Sequence, residues 1–170
     1  MPCRALVAGR SYLASAMPSV ATMQPAARWC GSYREGCQDD VEIAELEGEA
    51  MELLARFEGA DAAFLVDACW SGAPAGSVRR LDVNVTPLQQ GLFSLSTHGF
   101  GLAEAVELAR ALAQLPPYCV VYAIEGATFE TGAPLSPAVA AAVADVAGRV
   151  QTEIADEDNA KRQEPLSKPC

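Results

Sequence analysis

The sequence predicts an α/β sandwich built on a mostly parallel sheet, and three observations predict it. Strand-like and helix-like segments alternate from Asp39 onward, as they do in βαβ architectures. Two runs, Ala62 to Val66 and Cys119 to Ile124, are apolar without a break, the pattern of strands covered on both faces. The chain has 170 residues, 51% of them hydrophobic, which is enough for one domain to bury a core.

Each element follows from its own residues. Val41, Ile43 and Leu46 read as a short strand. Ala50, Leu54 and Phe57 recur at helical spacing, and Gly59 stops that helix. The run from Ala62 is expected to end as a strand at Asp67. Val78 to Val85 alternates in part and reads as another strand, while Leu92 to Leu95 is either a short extended piece or a loop. Leu102, Val106, Ala109 and Leu112 form a helical stripe that Pro116-Pro117 terminates. Cys119 to Ile124 is the second buried strand. Ser136-Pro137 pairs an N-cap with proline at the first helical position, and Val139, Val143, Val146, Val150 and Ile154 then mark a long amphipathic helix. Residues 39–155 form the α/β domain on this reading, and the charged residues 156–170 form a fraying tail.

Charge and composition narrow the function classes. Twelve basic residues stand against 22 acidic ones, a net charge of −10, which disfavours nucleic-acid binding because phosphate neutralisation needs clustered cations. No apolar run approaches the roughly 20 residues needed to span a bilayer, and no apolar signal core opens the chain, so a cytoplasmic location is expected. Six cysteines at 3, 30, 37, 69, 119 and 170 include no Cys-x-x-Cys pair. They read as reduced thiols, because a core of this size needs no disulfide staples, and as poor zinc ligands beside a single histidine. Residues 1–38 differ from the rest, with four arginines and one acid, Glu35, and no helical or strand period from Ser11 to Ala27.

Sites in open α/β sheets lie beyond the carboxyl ends of the strands. Two places qualify: the end of the strand at Asp67, and the loop before the helix that starts near Gly101. Asp67 directly follows five apolar residues, where a carboxylate is either a site group or the cap of the next turn. His98 is the only histidine and has glycine at its C-terminal side, in Ser96-Thr97-His98-Gly99-Phe100-Gly101. A lone histidine is more often structural or merely exposed. One oxygen and one nitrogen ligand would suit a borderline transition metal, but two ligands fit a transient or substrate-borne ion better than a resident one. Glu125-Gly126, at a strand end, reads as a turn whose glutamate orients a neighbour. No Gly-x-Gly-x-x-Gly fingerprint, Walker-type loop or Gly-x-Ser-x-Gly elbow occurs, which leaves the dinucleotide, phosphate-loop and serine-hydrolase readings without their motifs.

At these residues the chain resembles the [NiFe]-hydrogenase maturation endopeptidases. The resemblance runs through Phe64-Leu65-Val66-Asp67-Ala68, Gly72-Ala73-Pro74-Ala75-Gly76-Ser77-Val78, Ser96 to Leu102, Tyr122-Ala123-Ile124-Glu125-Gly126 and Gly132-Ala133-Pro134-Leu135-Ser136-Pro137. These pieces keep the family's order and approximate spacing over residues 41–154. The resemblance implies a three-layer sandwich, with a twisted sheet of about five strands between helices. It also implies an endopeptidase that removes the C-terminal extension of the hydrogenase large-subunit precursor once nickel is in place. Nickel, carried by the precursor, is then recognised through Asp67 and His98, with Asp67 also the catalytic candidate. The metal polarises the scissile carbonyl or a water.

One part of the family pattern is missing. The family opens with a strand, Gly-x-Gly-Asn and, a few residues on, an acidic pair that supplies a further metal ligand. This chain reads Leu6-Val7-Ala8-Gly9-Arg10-Ser11-Tyr12-Leu13, and Ala14 to Ala26 contains no acid. Glu47 and Glu49 follow a later strand and are not promoted to that role. Codon possibilities read one base back from Leu13 to Ala26 permit Gly-Ile-Gly-Asn-Ala-Phe-Arg-Gly-Asp-Asp-Ala-Ala-Gly. Residues 1–38 are therefore expected to be a frame-shifted translation with the N-terminal strand lost. A missing strand would remove several kcal/mol of burial at about 25 cal/mol per Å2, comparable with a domain's net stability. Poor folding or inactivity of the chain as written is the expectation. The alternative function is a degenerate relative that binds the precursor without cleaving it.

Overall fold

A computed structural model describes residues 5–10, 41–46, 50–88, 102–129 and 133–163. Its strands are β1 (Ala5–Arg10), β2 (Val41–Leu46), β3 (Ala62–Cys69), β4 (Val78–Asp82) and β5 (Tyr118–Glu125). Its helices are α1 (Ala50–Phe57), α2 (Leu102–Ala111) and α3 (Pro137–Gln163). The strands form one sheet in the order β2-β1-β3-β5-β4, parallel except for β4, which runs antiparallel to β5.

The N-terminal strand is present, which corrects the expectation that it is lost. Leu6-Val7-Ala8 is itself a short apolar run without proline, and β1 pairs with β2 from Ala5↔Val41 to Arg10↔Leu46 and with β3 from Ala5↔Ala62 to Gly9↔Val66. The written sequence thus closes the gap that a lost strand would have opened between β2 and β3.

The two faces of the sheet are covered by different helices. Ala63, Leu65, Cys69, Cys119, Val121 and Ala123 pack with Leu53, Leu54 and Phe57 of α1 and with Leu102, Val106 and Ala109 of α2. Ala62, Phe64, Val66, Val120, Tyr122 and Ile124 pack with Val139, Ala142, Val146, Val150 and Ile154 of α3. β3 and β5 lie between both layers, which is why their sequences show no polar alternation. Truncating the fully buried Phe64 to alanine would cost about 3–5 kcal/mol.

The helix ends follow their local chemistry. Ser136 caps α3: its hydroxyl accepts from the Val139 amide at 3.3 Å and its carbonyl from Ala140 at 2.9 Å. α3 continues to Gln163, past the point where the sequence suggests a fraying tail. α2 stops at Ala111, one residue short of the expected stripe. Ala113 takes a left-handed conformation (φ 56°), and the Gln114 and Ala113 amides bond back to Ala109 and Arg110. Leu112 is left 54% exposed as a result. β4 likewise ends at Asp82 and not at Val85. The Asp82 carboxylate accepts from the Asn84 and Val85 amides at 3.0 and 3.3 Å and turns the chain away from the sheet.

Candidate active site at the carboxyl edge of the sheet

From β1 the chain passes to β2 on one side and later to β3 on the other, so the sheet has a switch point between β1 and β3. The crevice beyond their carboxyl ends is where α/β sheets bind ligands. Asp67 stands there, one residue past the Val66↔Gly9 pair. It is 3% exposed, and its Oδ1 accepts from the Ala68 amide at 2.9 Å. It does not cap a turn: β3 continues past it, pairing Asp67 with Ala123 and Cys69 with Glu125.

Glu125 organises the loop that follows β3. It is 2% exposed, and its Oε1 accepts from the Ser71 and Gly72 amides at 2.7 and 2.9 Å. Its Oε2 accepts from the Ser71 hydroxyl at 2.8 Å and the Cys69 thiol at 3.3 Å. Burial by itself would raise the pKa of this carboxyl. The Ser71 hydroxyl and amide, the Cys69 thiol and the Gly72 amide outweigh burial and hold it below its usual range. Burial, reinforced by the bond to Glu125, pushes the Cys69 thiol up to about 12, so it stays protonated and serves as a donor. The main chain repeats the anchorage: Gly76 N donates to Glu125 O at 2.8 Å, Glu125 N to Ser77 O at 2.9 Å and Gly126 N to Cys69 O at 3.0 Å. Gly76, at φ +82°, has to be glycine, because a Cβ there would lie 2.6 Å from the Ala138 carbonyl oxygen.

An aromatic pair stands beside this loop. Trp70, 54% exposed, meets Phe129 edge-on with ring centroids 5.6 Å apart. Phe129 folds over Gly126, where a Cβ would lie 2.4 Å from the ring.

The sequence-derived candidates fare differently. Asp67 is in place at the carboxyl edge, and Glu125 proves to be a buried anchor whose carboxylate orients Ser71 and Gly72. His98, Glu47 and Glu49 lie outside the described residues, as does the stretch from Leu92 to Leu95. Cys69 and Cys119 are free, buried thiols; the other four cysteines lie outside the described residues. Among the described residues no group of three or more His, Cys, Asp or Glu side chains could hold a metal. Sequence reasoning missed Ser71, Arg79, Trp70 and Phe129, which are brought to the edge by the β3–β5–β4 register.

Fold and site together define an open α/β protein with a buried carboxylate at its switch point. The hydrogenase maturation protease family model, HycI, matches residues 33–153, and the chain belongs to that family. Solved structures share the fold. The hydrogenase maturating endopeptidase HybD from E. coli is 23% identical, with a TM-score of 0.68 over 91% of this chain and 93% of that one. An endopeptidase from Escherichia coli is 22% identical, with a TM-score of 0.69 over 91% and 93%. The hydrogenase maturation protease HycI from Thermococcus kodakarensis KOD1 is 16% identical, with a TM-score of 0.56 over 90% and 92%. No curated protein matches the chain. Family membership supports a role in hydrogenase maturation and peptidase activity in general. Among the described residues no helix is long and apolar enough to cross a membrane.

Proposed function

We propose that this chain is the endopeptidase that removes the C-terminal extension of a nickel-loaded [NiFe]-hydrogenase large-subunit precursor. The observation that carries the reading is Asp67, a buried carboxylate at the carboxyl edge of β3 in a chain of this family. Its Oδ1 is fixed by the Ala68 amide, so the carboxyl group has one defined orientation before any client arrives. Nickel is part of the substrate, and Asp67 and His98 recognise it on the precursor. A carboxylate and an imidazole suit a borderline ion, and two ligands suit one that is delivered and released. The bound ion then draws charge from the scissile carbonyl or from the attacking water.

A second reading, binding of the precursor without cleavage, is favoured by the lack of any acid between Arg10 and Glu35. One experiment separates the two. The full chain is incubated with nickel-loaded precursor and the precursor's mass is followed. Loss of the extension with the native chain, and its retention with Asp67→Asn, supports the peptidase. A stable complex with an uncut precursor supports the binder, and neither binding nor cleavage removes both readings.

A further inference from the structure

Among the arginines whose side chains the structure describes, Arg79 is the one without a carboxylate partner. Arg56 pairs with Glu42 and Glu52, Arg80 with Glu153, Arg110 with Glu107 and Arg149 with Asp145. Arg79, in contrast, donates to the neutral hydroxyl of Ser71 at 3.1 Å, its only polar partner among the described residues. In a chain with 22 acidic residues against 12 basic ones, a cation with no carboxylate partner is unusual.

Its place is set by the sheet. Arg79 pairs with Ala123, and Ala123 pairs with Asp67, so the three form one row across β4, β5 and β3. Register partners project from the same face. The residue between the two charged groups is Ala123, whose short side chain is buried in the core. Two strand spacings separate the backbones of Asp67 and Arg79, roughly 10 Å. An extended peptide covers that gap in about three residues. Because β4 is antiparallel, its first residues, and not its last, reach the carboxyl edge, and this brings Arg79 to the site. The guanidinium is held from behind: it donates to Ser71 Oγ, which donates to Glu125 Oε2, and Glu125 is buried and anchored by the Gly72 amide. Arg79 also lines a groove of about 380 Å3, together with Arg80, Leu81, Asp82, Val85 and Leu88.

We infer that Arg79 anchors the precursor's C-terminal extension by binding an anionic group a few residues downstream of the bond that Asp67 faces. This rests on the proposed endopeptidase reading and adds to it the client's required charge and its position. The anion is either an acidic side chain of the extension or its terminal carboxylate, and both offer the planar oxygen pair that a guanidinium binds in bidentate fashion. Arg79 is thus a substrate-binding residue, while Ser71 and Glu125 are positioning residues behind it.

The test compares native chain, Arg79→Gln and Arg79→Lys on the nickel-loaded precursor, measuring affinity and the KM and kcat of cleavage. It adds two modified clients, one with the acids of the extension neutralised to amides and one with the terminal carboxylate amidated. Arg79→Gln is expected to weaken binding and raise KM about tenfold with little change in kcat, as loss of one charge-assisted contact would. Arg79→Lys recovers part of the loss. The modified client that mimics the variant's defect identifies the anion, because on that client native and Arg79→Gln chains perform alike. Equal affinity and KM for native and Arg79→Gln chains overturns the inference while native cleavage upholds the peptidase. A drop that persists unchanged on both modified clients also overturns it. If the native chain neither binds nor cuts the precursor, the functional reading itself fails and the inference falls with it.

Discussion

Replacing Glu125 by glutamine isolates what its charge contributes to the site. The native carboxylate accepts two amides on Oε1 and the Ser71 hydroxyl and Cys69 thiol on Oε2. Glutamine keeps one oxygen for the amides. The NH2 group in place of Oε2 is a donor, so the Ser71 hydroxyl must turn to accept and the Cys69 thiol loses its acceptor. A hydrogen bond to a charged group contributes about 1.5–3 kcal/mol and a neutral one about 0.5–1.5. Ser71 and Gly72 are exposed, and water replaces part of what is lost. The net cost is therefore at the low end, about 2 kcal/mol. For a chain of this length that lowers Tm by about 4–8 °C. The assay is thermal unfolding followed across pH. The folded carboxyl has a pKa below the ordinary 4.5, so on acidification the unfolded chain takes up the proton first. Glu125's contribution is complete above that value and is lost as pH falls through the folded pKa. The gap between native protein and Glu125→Gln should be widest near neutrality and close in acid. Equal melting at pH 7, or a gap that does not vary with pH, would refute the reasoning.

Gly76→Ala places a Cβ 2.6 Å from the Ala138 oxygen at φ +82°, and urea unfolding should show a loss of about 2–4 kcal/mol. Tyr122→Phe removes a buried hydroxyl that donates to Glu153, which also takes Tyr118 and Arg80; the expected loss is about 1–2 kcal/mol by the same measurement. Arg80 and the two tyrosines hold the Glu153 carboxyl below its usual range against burial, so the cost of Tyr122→Phe should shrink in acid and not in mild alkali. The coding bases for Leu13 to Ala26, read one base back, should spell the acidic pair; bases that cannot spell it end the frame-shift idea.

The sandwich was legible because its buried parts follow simple patterns. β3 and β5 are covered on both faces and read as unbroken apolar runs, and Ser136-Pro137 announces α3 through capping chemistry. Asp67 was legible for the same reason, a carboxylate closing an apolar run. Chain direction and register were not. Nothing in Val78-Arg79-Arg80-Leu81 states that β4 is antiparallel, so Arg79's place in the row with Asp67 emerges only from pairing. Arg79 and Arg80 are neighbours of identical type, yet one meets Glu153 on the α3 side and the other stays beside Ser71. Glu125 resembled a turn residue because its partners lie more than fifty positions earlier, beyond any local pattern. The first strand was misjudged because the missing acidic motif after it drew attention from Leu6-Val7-Ala8, which pairs on both sides.

On the proposed function, the carboxylate of Asp67 and the imidazole of His98 grip the nickel that the client brings. X-ray absorption at the nickel edge of the loaded precursor, alone and in complex with the chain, tests it most directly. New oxygen and imidazole scattering should appear when the native chain binds, with the imidazole part lost in His98→Ala and the oxygen part altered in Asp67→Asn. A nickel spectrum that does not change on formation of the complex would contradict it.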